Sequence, residues 1–366
     1  MWQYKMRVCI RTDASAIIGS GHVMRCIALA ERLRTQGADV KFVCREFPGD
    51  YVGKLQEKGF AVERLSSKSE RLPRDDGRYA RWLGVDWETD AQETRTLLES
   101  SSPVDWLVVD HYAIDRRWEK HLRGVTRSLL TIDDLADRFH DCDILLDQNR
   151  IGENGQPYGH LVPAGCRILL GPTYALLRKE FAEKRMQLPH QGKGRIQILV
   201  FWGGVDQSNE TAKTLAALDG IDAGKVSISV VVGRNNPHKS SLEEICRGME
   251  GVALHFDTEE MANLIFEADL AIGAPGVSSL ERCCLGVPTV MASVAENQVI
   301  VAKSLNAKDA GVFLGPAHML TSAALRDSIL GLINDERRRQ ALSQNAMNLV
   351  DGLGAGRVVE AMFTLQ

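Results

Sequence analysis

The sequence predicts an α/β protein built from two Rossmann-like domains facing a cleft. Three observations carry this. Short β-rich runs alternate with helical patterns along the whole chain, the signature of parallel sheets. The alternation breaks once, over the polar stretch Glu183–Arg195 with Pro189, Gly192 and Gly194, which reads as a linker. The 366 residues suit two domains of ordinary size, 1–188 and 189–366, each long enough to bury its own core.

In the first half, strands are expected at Met6–Arg11, Val40–Cys44, Trp106–Asp110, Leu129–Asp133 and Ile144–Leu146. A helix is expected from His22 to Gln36. Its apolar positions Val23, Cys26, Ile27, Ala30 and Leu33 follow i, i+3, i+4 spacing, and Gly37 marks its stop. In the second half the strands are Ile196–Trp202, Val226–Val232, Val252–Phe256, Asp269–Ile272 and Pro288–Met291. A last helical stretch, Ser322–Gln366, is broken by Gly352, Gly354 and Gly356, and its tail is expected to pack back on the first domain.

A net charge of −4 argues against a broad surface for nucleic acid or membrane, but leaves room for an anionic small ligand at a local site. No apolar run reaches the length of about 18 residues that a membrane helix needs. Met1–Arg11 lacks the apolar run and cleavage site of a signal peptide, so a cytoplasmic protein is expected. None of the eight cysteines forms C-x-x-C, and most lie in apolar runs, which predicts buried reduced thiols.

Ligands of doubly wound sheets sit beyond the carboxyl ends of the strands, and five places there stand out. Gly19-Ser20-Gly21-His22 follows the first strand. Its glycines admit a close ligand, and the helix start offers free N–H groups to negative charge. Met24 stands where a dinucleotide fingerprint needs glycine. His22, in the first turn, reads either as a neutral base favoured by the helix dipole or as a packing histidine. Asp110-His111-Tyr112 ends an apolar strand and reads as a site or as a turn in which Asp110 caps the next helix. Gly203-Gly204 suits a tight turn under a diphosphate. Ser278 or Ser279 would cap a helix whose N-terminus can hold phosphate, with Glu281 in its first turn for the ribose hydroxyls or simply for helix stability. Asn297-Gln298 suits sugar hydroxyls and acetamido groups. Asp141-Cys142-Asp143 matches a metal-holding D-x-D string but leads straight into an apolar strand, so no metal is expected there.

Taken together these strings resemble a family. Arg11–Ser15 with Gly19–Cys26, Val109–Tyr112, Asp141–Leu146, Gly171–Arg178 and Asn297–Gln298 are similar to the UDP-sugar hydrolases of pseudaminic acid biosynthesis, over nearly the whole chain. The segment Phe256–Pro288, with Glu281, also resembles the glycosyltransferases that form lipid II. The resemblance implies a GT-B fold and a substrate of the type UDP-2,4-diacetamido-2,4,6-trideoxy-beta-L-altropyranose. It also implies water as acceptor, no metal, no cofactor, and His22 as the catalytic residue. Tyr112, Glu281 and Asn297 are carried over as substrate contacts, and Asp13, Gly19, Gly21, Gly203, Gly204, Ser278, Ser279 and Gln298 complete the expected binding set. A monomer fits the class. The chain is longer than the shortest members, chiefly around Glu70–Glu99, a segment with no readable role.

The chemistry agrees with these residues. UDP is a good leaving group, so stabilising its charge at the Ser278–Ser279 helix start lessens the need for a general acid. One neutral base must deprotonate water, and attack opposite UDP inverts the anomeric centre. The rivals are a GT-B glycosyltransferase, a UDP-sugar 2-epimerase and a UDP-sugar-binding protein without turnover.

Overall fold

The computed structural model describes residues 5–67, 77–100, 103–151, 157–187 and 194–365. The chain packs as two compact units. The first runs to Arg178, apart from a short stretch that begins at Asn149, and resumes at Gly354; the second is built from Lys179–Leu353. The boundary expected at 188/189 lies outside the described residues, as do Pro189 and Gly192.

The first unit contains β1 (Arg7–Thr12), α1 (Gly21–Thr35), β2 (Asp39–Arg45), α2 (Val52–Glu57), β3 (Ala61–Leu65), α3 (Trp87–Glu99), β4 (Val104–Asp110), α4 (Arg116–Leu122), β5 (Thr126–Ile132), β6 (Ile144–Asp147) and β7 (Arg167–Leu170). Among the described residues its seven strands are parallel, in the order β3-β2-β1-β4-β5-β6-β7. β4 is buried along its whole length, as a strand covered on both faces must be. The edge strands β3 and β7 were not foreseen. Both are short, and β3 is largely exposed.

The second unit contains α5 (Lys179–Arg185), β8 (Ile196–Phe201), α6 (Glu210–Leu218), β9 (Val226–Val232), α7 (Lys239–Arg247), β10 (Val252–Phe256), α8 (Met261–Phe266), β11 (Leu270–Gly273), α9 (Val277–Cys284), β12 (Thr289–Ser293), α10 (Asn297–Ala307), β13 (Val312–Pro316), α11 (Ser322–Asn334) and α12 (Glu336–Leu349). Among the described residues its six strands are parallel, in the order β10-β9-β8-β11-β12-β13. In each unit the strand order reverses at one place, between β1 and β4 in the first and between β8 and β11 in the second. These are the switch points beyond which ligands bind in such sheets.

The last helical stretch is interrupted first at Asp335, whose carboxylate accepts from Arg338 N and caps α12. Of the three glycines expected to break it, only Gly352, at φ +83°, lies in a break. Gly354 and Gly356 lie inside α13 (Gly354–Thr364), where Val358, Val359 and Met362 join the same core as Leu33 of α1 and Val8 of β1. A Cβ on Gly354 would sit 2.4 Å from the Ala175 backbone, so that approach requires glycine. All eight cysteines are free thiols, and all but Cys166 are buried. Among the described residues no helix is long and apolar enough to cross a membrane.

Candidate active site

Two loops meet at the first unit's switch point. After β1 the chain turns tightly: Ser15 O accepts from Gly19 N (2.9 Å), and Ser15 Oγ accepts from Ile17 N and Ile18 N. Gly19 takes φ +79°, a conformation that favours glycine. Ser20 is the N-cap, Gly21 opens α1, and His22 stands second in the helix. His22, Arg25 and Cys26 share one helix face by their i, i+3, i+4 spacing, and all three reach Asp110 at the end of β4.

His22 Nδ1 lies 2.6 Å from Asp110 Oδ1. Arg25 grips the same carboxylate with two bonds of 2.7 Å and holds Asp134 with a third of 2.7 Å. Burial would push the Asp110 carboxyl up, but Arg25 and His22 outweigh it and hold it well below the usual carboxylate range. Asp110 is therefore ionised and can only accept, so the His22 proton sits on Nδ1. In the neutral ring Nε2 then carries the lone pair, as a general base requires. Asp110 does not cap the next helix; Asp115 does, accepting from Arg117 N. Tyr112 donates its hydroxyl to Asp134 Oδ2 at 2.7 Å, which fixes its ring against His22.

A second histidine–aspartate pair crosses the first. His111 Nε2 lies 3.4 Å from Asp13 Oδ2. Asp13 does not stand free to meet a ligand: it is fully buried, and its other oxygen accepts from Arg11 Nη1 (2.6 Å) and Arg45 N (2.7 Å). Burial pushes the His111 imidazole from its ordinary 6.5 down to about 4, with Asp13 opposing. The folded value lies below the unfolded one, so between about 6.5 and about 4 the unfolded chain binds the extra proton. Stability should therefore rise with pH across that window and be unaffected by this group above it. His111→Gln should remove up to about 3 kcal/mol of that pH dependence, measured by urea unfolding at each pH. An identical slope in wild type and variant would exclude His111 as its source.

The stretch 77–99 now has a visible role. Its turn Ala80–Leu83 presents Trp82, which stacks on Tyr112 (centroids 5.5 Å, 24°) and meets His22 edge-on at 6.1 Å. Tyr79 packs on both Trp82 (4.8 Å) and Tyr112 (5.2 Å). Asp90 of α3 is buried and accepts from Arg11, Arg45 and Trp118 Nε1. Burial works against that carboxylate's charge, but Arg11 and Arg45 hold it down to about 2. The 77–99 segment thus braces the loop after β1 and walls His22 with aromatic rings.

In the second unit, Gly203 takes φ +102° after β8. A Cβ on Gly233 would lie 2.2 Å from Gly204 O, so the loops after β8 and β9 touch through bare backbone. Gly276, not a serine, is the N-cap of α9. Ser279 stands third in the helix and closes a reciprocal cap, accepting from Gly276 N (2.8 Å) and donating to Gly276 O (2.6 Å). Its hydroxyl is thus engaged within the chain, whereas Ser278 is half-exposed at the helix start. Glu281 lies in the second turn of α9, since no acidic residue occupies the first. Asn297 and Gln298 are the first two residues of α10, and Gln298 Oε1 accepts from Val294 N at 2.9 Å.

The D-x-D string Asp141-Cys142-Asp143 has a partner of another kind. Arg123 binds Asp141 (2.9 Å) and Asp143 (2.6 Å) together. Asp133 accepts from Ala136 N and from Tyr158, whereas its neighbour Asp134 faces Arg25 and Tyr112. Sequence reasoning missed Arg25, Trp82 and the role of Asp110. The helical spacing of His22, Arg25 and Cys26 was the signal for the first.

Comparison with known proteins adds relatives and a fold. The chain is 27% identical over 268 residues to the UDP-2,4-diacetamido-2,4,6-trideoxy-beta-L-altropyranose hydrolase of Campylobacter jejuni, covering 73% of this chain and 84% of that protein. It is 30% identical over 198 residues to the spore coat polysaccharide biosynthesis protein SpsG of Bacillus subtilis, 54% of this chain and 58% of that one. The chain spans 55% and 58% of the length of two of the curated relatives it matches. Among solved structures, MurG of Acinetobacter baumannii superposes with a TM-score of 0.64 at 14% identity, covering 98% of this chain and 99% of the other. That likeness identifies the two parallel-sheet domains as a GT-B fold. No protein-family model matches the chain.

Proposed function

We propose that the protein is a nucleotide-sugar hydrolase that releases UDP from a UDP-activated 2,4-diacetamido-2,4,6-trideoxy sugar. The observation that carries this reading is the His22–Asp110 pair at the first unit's switch point, which leaves Nε2 as a base. The similarity to the Campylobacter hydrolase supports the substrate class. A water oxygen bonds to the anomeric carbon and gives a proton to His22 Nε2. The bond from that carbon to the diphosphate oxygen breaks, and its electron pair leaves with UDP. Attack from the face opposite UDP inverts the centre.

We assign the diphosphate to backbone N–H groups at Gly203–Gly204 and at the start of α9 beside Ser278. Glu281 is assigned to the ribose hydroxyls, and Asn297 with Gln298 at the start of α10 to the acetamido sugar. Tyr112 lines the sugar, held by Asp134. Ser279 and Asp13 act one step back, by shaping the α9 cap and the loop after β1.

The reading is tested by incubating the full chain with a panel of UDP-sugars in 18O-water and following products by NMR and mass spectrometry. UDP should appear unlabelled and the sugar labelled, with the inverted anomer formed first. Label in the phosphate would overturn attack at carbon, and the absence of UDP release across the panel would overturn the reading. Glu281→Ala should weaken UDP binding by roughly 1–3 kcal/mol through lost charged hydrogen bonds. Calorimetry showing unchanged affinity would take Glu281 out of the site.

A further inference from the structure

His22 is the proposed base, yet its side chain is only 9% exposed. Two rings lie against it, Tyr112 at 4.6 Å and Trp82 at 6.1 Å, both edge-on. Tyr112 belongs to the strand-end loop. Trp82 belongs to the 77–99 segment, whose aromatic residues no part of the mechanism yet uses. Its indole also touches His111, so it contacts both histidines of the site.

The turn that carries Trp82 is anchored. Leu83 and Val85 on either side of Gly84 are buried, and Leu83 joins a core cluster with Leu65 and Ala91. Gly84 takes φ +71°, and a Cβ there would lie 2.9 Å from the Phe47 ring. The indole is therefore a fixed wall, stacked on Tyr112 and backed by Tyr79. A base so covered can meet a water, which occupies about 30 Å³, far more readily than a bulky hydroxyl compound.

We propose that Trp82 is the residue that restricts the nucleophile to water, and so keeps this chain a hydrolase on a fold whose neighbours include glycosyltransferases. The proposal rests on the reading of His22 as the base. With the indole removed, an alcohol can take the place of water. Its oxygen bonds to the anomeric carbon, its proton passes to His22 Nε2, UDP leaves as before, and the product is an alkyl glycoside.

The test measures partition. Wild type and Trp82→Ala are given the UDP-sugar identified by the panel assay, in buffer with a fixed mole fraction of methanol or, separately, 1-propanol. Free sugar and alkyl glycoside are then quantified by mass spectrometry. Wild type should form almost only free sugar. Trp82→Ala should raise the glycoside-to-sugar ratio about tenfold or more, the effect being larger for propanol, and Trp82→Phe should stay close to wild type. Should Trp82→Ala not fold, Trp82→Leu keeps apolar bulk without the indole plane and carries the same expectation. A Trp82→Ala or Trp82→Leu enzyme that releases UDP with the wild-type ratio overturns the proposal, as does a wild type that already forms glycoside freely. A wild type that releases no UDP fails earlier, at the reading of the function, and the proposal falls with it.

Discussion

The His22→Asn protein is expected to fold normally, bind UDP with little change, and lose roughly 10²–10⁴-fold in kcat. Asparagine is smaller than histidine, but its amide N–H falls near the Nδ1 position and can still donate to Asp110, so the buried carboxylate keeps a partner beside Arg25. What disappears is the lone pair on Nε2. UDP affinity separates this outcome from a general failure, because UDP is assigned to loops of the second unit. A His22→Asn enzyme with more than about a tenth of wild-type kcat would end the role of His22 as base. His111 is an unsuitable substitute. It is buried, its Nδ1 accepts from Ala113 N, and its remaining nitrogen faces Asp13.

The second large effect is expected from Asp110→Asn. The amide can place an N–H where the carboxylate accepted, which drives the His22 proton from Nδ1 to Nε2 and removes the base without removing the ring. The loss in kcat should fall in the same range of roughly 10²–10⁴-fold. Unlike His22→Asn, this change also strips Arg25 of one of its two carboxylates. Breaking a buried pair on one side typically costs about 3–5 kcal/mol, so the urea midpoint should drop as well. Kinetics at low temperature, where the variant remains folded, isolate the chemical effect. Near-wild-type kcat in folded Asp110→Asn protein would mean that the carboxylate does not set the tautomer.

Much of this was legible in the sequence, for a physical reason. The central strands are covered on both faces, so they appear as unbroken apolar runs, and the residues that follow them stand at the switch points. The two loops of the first unit therefore came out together, with Gly19, Gly21, His22 and Tyr112 in place. The edge strands β3, β7 and β13 did not, since a short, half-covered strand can lack such a run, although the edge strand β10 showed one. The cap of α9 was misread because serine is a favoured N-cap, whereas here Ser279 serves from the third helical position and Gly276 takes the cap. That shift of register also moved Glu281 out of the first turn. Trp82 and Asp110 act through contacts that join residues far apart in sequence, and no local pattern encodes such contacts. Arg25 was different: its spacing from His22 placed both on one helix face.

The return of α13 to the first unit bears on how the protein is born. Val358, Val359 and Met362 complete a core whose other members, such as Val8, Ile10 and Leu33, leave the ribosome first. Domains ordinarily fold as units, the N-terminal one ahead of the rest. Here the earliest half must carry an unfilled apolar stripe along α1 while the whole second unit is translated, and it closes only when the segment from Gly354 emerges. The order of synthesis and the order of completion are reversed, and the histidine-bearing helix is the one kept waiting.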